Sequence, residues 1–209
     1  MDAWEVTDSE RSAFADLADS LTPAQWDQPS LCAAWKVRDV VAHVTDGADL
    51  SLGKSMLTLA KYGFRMNTMI EREAQKGGAR STDELRKGLR DTVGIHKAMA
   101  PAKPPDMVME TIIHQQDVRR PLGIARNYPA DEMQLALDRA AGTGNSLLPA
   151  KKRVAGLRLR ATDLDWERGD GDEVSGPGEA LLMAMAGRTE ALADLSGPGV
   201  ETLRARTTS

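Results

Sequence analysis

The chain has 209 residues, 41% hydrophobic and 28% charged, enough apolar matter for one large domain or a medium domain with a small one. Its 27 Lys and Arg against 31 Asp and Glu leave a net charge of −4, which argues against the basic footprint of a nucleic-acid binder. One cysteine, Cys32, excludes an internal disulfide framework and fits a reducing cytoplasm; the absence of a basic leader or a long apolar run points to a cytoplasmic protein without membrane contact.

Taken in order, the first 150 residues read as helices. Thr7 or Ser9 can cap a helix whose Phe14, Leu17, Ala18 and Leu21 share one face. Thr22-Pro23 opens a short helix ending near Trp26. After a loop through Pro29 and Cys32, the residues Val37, Val40, Val41 and Val44 step at helical spacing and form a buried stripe in spite of their β-branching. A long helical stretch is expected from about Leu50 to Ala74, broken by Gly77-Gly78. Ser81 to Glu84 is a capping box, with Leu85, Leu89 and Val93 stacked behind it, and His96 continues that stripe as a core or half-buried residue. Further helices run from Asp106 to Arg119 and from Pro129 toward Gly142 or Gly144. Several amphipathic helices with short connections make an antiparallel bundle the default architecture.

The texture changes after Lys151-Lys152-Arg153. Leu157, Leu159 and Ala161 alternate with polar residues, Leu164, Trp166 and Arg168 continue the period of two, and Gly169 to Gly171 is a turn. A helix starting at Pro177 runs through Leu195, and a last short strand is expected at Val200 to Arg204. The expected fold is mainly α: a four-helix bundle over residues 1–150 and a small α+β unit over 151–209, too small to be robust alone.

Three histidines limit the metal or base chemistry available. Glu110 and His114 stand four apart, one turn along a helix face, and could clasp one ion; His43 from a facing helix would complete a set of two histidines and one carboxylate with an open position. With 31 acids in the chain such pairs also arise by chance, and surface i,i+4 hydrogen bonding is the blander account. Cys32 has no basic neighbour before Lys36 to lower its pKa, so it reads as a packed small residue.

The stretch from Trp35 to His43 (WKVRDVVAH), after a Pro-x-x-Cys approach, resembles the second helix of the DinB-like, mycothiol-dependent maleylpyruvate isomerase family. Glu110, His114 and Asp117, followed by Leu122-Gly123, resemble that family's later metal-binding helix, and the segments DLDWERGDGDEVSGPGEALLMAMAGR and LSGPGVETL resemble its C-terminal domain. The resemblance implies a DinB-like four-helix bundle whose divalent metal, zinc first and nickel, iron or manganese as alternatives, is held by His43, Glu110 and His114. It also implies mycothiol as thiol cosubstrate, with Arg188 contacting a substrate carboxylate or the thiol. Asp117, Asp39 or Asp46 would orient the imidazoles. The expected activity is that of an isomerase or S-transferase acting on a small electrophile through a metal-bound thiolate, with a homodimer as the assembly to test. Two rivals stand beside it: a non-catalytic binding protein whose pocket is lined by Met56, Met66 and Met69, and a metal-dependent hydrolase that activates water.

Overall fold

The computed structural model describes residues 1–145 and 147–207, and its chain divides into two compact units, 1–126 and 127–209. The first unit contains α1 (Ala3–Ser20), α2 (Pro23–Trp26), α3 (Val37–Ala48), α4 (Leu52–Lys61), α5 (Met66–Gly78), α6 (Thr82–Arg90) and α7 (Pro104–Leu122). Helices α1, α7, α3 and α6 contact one another in a closed ring, which is the four-helix bundle, and α5 lies along α3. Its core holds most of the expected set: Phe14, Leu17, Ala18 and Leu21 from α1, Val37, Val40 and Val41 from α3, and Leu85 and Leu89 from α6 are all buried, whereas Val44 is half-buried and Val93 exposed. The first helix begins earlier than the sequence suggests because Asp2 caps it, accepting a hydrogen bond from the Trp4 N–H.

The long stretch after Leu50 is two helices. A turn at Tyr62–Arg65, with Gly63 and Phe64 both at positive φ, reverses the chain between α4 and α5. Gly77 and Gly78 do not break the helix. They are its last two residues, and they let α5 approach α3 so closely that a Cβ on Gly78 would lie 2.0 Å from Asp39 Oδ1. On the other side, α4 leaves Leu52, Met56 and Leu57 exposed.

Helix α6 stops at Arg90, so the stripe ends at Leu89 and His96 is not a core residue. His96 is exposed in the following loop, stacked on Trp4 with ring centroids 5.2 Å apart and 2.7 Å from Asp8 Oδ2. Between α1 and α7, the buried Glu10 carboxylate accepts from Gln115 Nε2 at 2.6 Å and pairs with Arg126.

The second unit holds α8 (Ala130–Gly142), α9 (Ala150–Arg153), a three-stranded sheet, α10 (Gly178–Met185), a 3₁₀ turn (Thr189–Asp194) and α11 (Val200–Thr207). Its division from the first unit falls after Arg126 rather than at 150, because α8 packs on α10: a Cβ on Gly178 would already meet Met133 and Leu137 of α8. In the sheet, β1 (Leu157–Ala161) is central, with β2 (Glu167–Arg168) antiparallel on one side and β3 (Asp172–Gly176) parallel on the other. Leu157, Leu159 and Ala161 point inward, while Arg158 and Arg160 pair on the exposed face with Glu167 and Glu173. Strand β3 follows directly on the expected turn at Gly169 to Gly171. The strand expected at Val200 to Arg204 is instead helical; Val200 and Leu203, three apart, are its buried positions. Among the described residues no helix is long and apolar enough to cross a membrane.

Candidate metal centre

Three side chains from two helices of the first unit converge on one point. His43 stands on α3, and Glu110 and His114 stand one turn apart on α7. Each offers a ligand atom, and the three atoms lie within 4.8 Å of one another. The imidazole rings of His43 and His114 meet edge to face, centroids 5.0 Å apart.

The surroundings set the state of each group. Burial keeps the His43 imidazole neutral, its pKa pushed down to about 3, with the charge of His114 acting in the same direction and Asp117 opposing. Glu110 keeps exposed surface, yet lost hydration around its carboxyl raises its pKa, with His114 and Arg11 pulling the other way and Asp106 adding to the rise. His114 is nearly buried, and its Nδ1 lies 2.9 Å from Oδ2 of the fully buried Asp117. A carboxylate only accepts, so this bond places the ring proton on Nδ1 and leaves Nε2 free to donate its lone pair. Two imidazoles and a carboxylate in this arrangement are a group of side chains that could hold a metal ion.

Of the three acids that could orient an imidazole, only Asp117 does so. Asp39 accepts the Lys36 N–H at 2.9 Å and caps α3, and Asp46 pairs with Arg80 at 2.9 Å. Asp117 Oδ2 also accepts from the Cys32 thiol at 3.0 Å. Cys32, His114 and Asp117 therefore form a second cluster of ligand-type atoms, but two of its three contacts are hydrogen bonds that support His114 from behind. Trp35 packs against the other face of the site, its ring 4.9 Å from that of His43 and 6.4 Å from that of His114. Sequence reasoning gave neither Cys32 nor Trp35 a role here. Cys32 and Asp117 are 85 positions apart, and no spacing rule joins them.

A cavity of about 390 Å³ opens beside His43, between α3, α4 and α5. Leu50, Met69, Ile70 and Ala74 give it apolar walls, and Lys54 and Lys76 contribute cationic ones. Of the three methionines expected in a pocket, Met69 lines this one, whereas Met56 and Met66 are exposed. Arg188 belongs to the second unit, where its Nη1 donates to the Ala186 carbonyl at 2.9 Å just past the end of α10. Arg153 donates to the neighbouring Met185 carbonyl, so two guanidinium groups close that helix end.

A family model described as the mycothiol maleylpyruvate isomerase N-terminal domain matches residues 7–119, more than half of the chain and all three converging side chains. Among solved structures, the mycothiol-dependent maleylpyruvate isomerase superposes with a TM-score of 0.62 at 16% identity, covering 94% of this chain and 91% of that one. A histidine-to-alanine mutant of that enzyme gives 0.61 at 15% identity over the same shares. At these identities the likeness is one of fold. No curated protein matches the sequence significantly.

Proposed function

Since the chain belongs to the mycothiol maleylpyruvate isomerase N-terminal domain family, we propose that it is a metal-dependent enzyme in which His43, Glu110 and His114 hold a divalent ion, zinc before nickel, iron or manganese. The observation that carries this reading is the convergence of the three donors within 4.8 Å on α3 and α7 inside the segment that matches the family. An ion held by His43, Glu110 and His114 would supply positive charge that favours the thiolate of a low-molecular-weight thiol such as mycothiol. The reaction class is isomerisation of, or S-transfer to, a small electrophile, with that thiol as nucleophile.

The chain's own residues have distinct tasks in this scheme. Neutral His43 is already in the protonation state a ligand requires, and Asp117 holds the proton of His114 on Nδ1, away from the ion. The adjoining cavity, with both apolar and charged walls, gives a small molecule room beside His43. Arg188 is assigned to a carboxylate of the substrate or a polar part of the thiol, a role that suits a planar guanidinium donor.

Elemental mass spectrometry of untagged protein, with His43→Ala and His114→Ala alongside, tests the site. About one divalent ion per chain, lost in both variants, is the expected result. Failure to retain an ion or to take one up from zinc or nickel buffer would refute it. Turnover of electrophiles that needs an added thiol separates the isomerase or transferase from a hydrolase, which would turn over without thiol.

A further inference from the structure

The loop between α2 and α3 reaches the site from outside the helices that carry the donors. It is a tight structure: Pro29 and Lys36 form a bridge, the Ser30 N–H donates to the Trp35 carbonyl at 3.0 Å, and the Trp35 N–H donates to the Cys32 carbonyl at 3.0 Å. Ala34 takes a positive φ of 65°, a conformation that costs a non-glycine residue energy and that this closed loop imposes. The Leu31 N–H donates to the Asp117 carbonyl at 3.0 Å and ties the loop to α7.

From this frame two side chains reach the two histidines. The Cys32 thiol donates to the same Asp117 oxygen that receives His114 Nδ1, and the Trp35 ring lies 4.9 Å from the His43 ring. We infer that loop 29–36 is the positioning element of the metal centre, with Cys32 acting on His114 through Asp117 and Trp35 acting directly on the ring of His43. The inference rests on the reading of His43, Glu110 and His114 as an ion site. Cys32 and Trp35 touch no reacting atom in it; they are positioning residues. The thiol fixes the carboxylate rotamer, and the carboxylate fixes the imidazole plane and tautomer. Groups that orient ligands in this way change metal affinity by roughly 10- to 100-fold when removed.

The test is zinc affinity of the metal-free protein, measured by competition with a chromophoric chelator, for wild type, Cys32→Ala, Cys32→Ser, Trp35→Leu and Trp35→Phe. Cys32→Ala should weaken zinc binding roughly 10- to 100-fold, and Trp35→Leu about 10-fold. Cys32→Ser keeps an O–H donor and should bind within about threefold of wild type, as should Trp35→Phe, which keeps an aromatic face. The cobalt-substituted proteins add a readout that packing alone would not move: the ligand-field absorption bands should shift in Cys32→Ala and return in Cys32→Ser. Wild-type zinc affinity in Cys32→Ala, or a serine variant as weak as the alanine one, overturns the inference while the metal site stands. A wild-type protein that takes up no zinc overturns the site and the inference with it.

Discussion

Substituting Gly78 by alanine adds one methyl group at the tightest point between α3 and α5. An ideal Cβ there would sit 2.0 Å from Asp39 Oδ1, 3.1 Å from its Cγ and 3.2 Å from its Cα, all tighter than an ordinary van der Waals contact. The carboxylate cannot simply swing away, because Oδ2 accepts the Lys36 N–H at 2.9 Å and the residue is buried. Giving up that cap costs about 1 kcal/mol. Moving the Asp39 backbone is an overpacking strain of about 1–3 kcal/mol. Replacing a helical glycine returns at most about 1 kcal/mol, and less at the last residue of α5. The net loss is therefore about 1–3 kcal/mol, read as a lower urea midpoint of the metal-free protein with an unchanged slope. Asp39 is one turn before His43 on α3, so zinc affinity should fall with stability. Gly47→Ala is the control: the added Cβ meets nothing within 4 Å, and stability should hold or rise by up to about 1 kcal/mol. A Gly78→Ala protein as stable as wild type would refute the close-approach argument.

Three further outcomes are expected. Glu10→Ala leaves Arg126 and Gln115 without their buried carboxylate and should cost about 3–5 kcal/mol in urea unfolding, whereas a loss under about 1 kcal/mol would show the pair to be dispensable. The Asp8 carboxyl is pulled up by burial but more strongly down by hydrogen bonds from His96 and the Gly94 N–H, with the charges of His96 and Arg11 adding, and it ends below the usual carboxylate range. Its contribution is present above the unfolded carboxylate pKa of about 4 and fades as pH falls through the folded value. Asp8→Asn should accordingly be less stable than wild type at neutral pH, with the two curves converging in acid; parallel curves would contradict this. Zinc at about 100 times its dissociation constant should stabilise wild type by about 2.7 kcal/mol and leave His114→Ala unaffected in thermal melts.

Much of the bundle was legible because its information is periodic. Val37, Val40 and Val41 of α3 and the Leu85-Leu89 pair of α6 are buried where helical spacing places them, and Val44 is half-buried. Legibility failed where long-range contact decides the outcome. Gly77-Gly78 reads locally as a breaker, but the close passage of α3 makes two glycines a packing requirement. Val200 to Arg204 has the look of a strand, yet its burial follows a helical step. The same division holds at the candidate site. Glu110 and His114 share a turn and were visible as a pair, while His43 came from the neighbouring helix and was linked to them by its surrounding motif. Cys32 reaches Asp117 only through the folded loop, and the thiol's local sequence gives no sign of it.

Trp35 has an optical consequence. Its indole lies against both imidazoles of the centre, whereas Trp4 stacks on His96 and Trp166 donates to Asp138 in the second unit. Light absorbed by that one indole is emitted beside whatever the imidazoles hold. A closed-shell ion such as zinc leaves the emission largely intact; an open-shell ion such as cobalt or nickel offers low-lying states that drain it. A chain in which Trp35 is the one remaining tryptophan would thus be a fluorimeter for the proposed ion, reporting in a cuvette both when the candidate site fills and which kind of ion fills it.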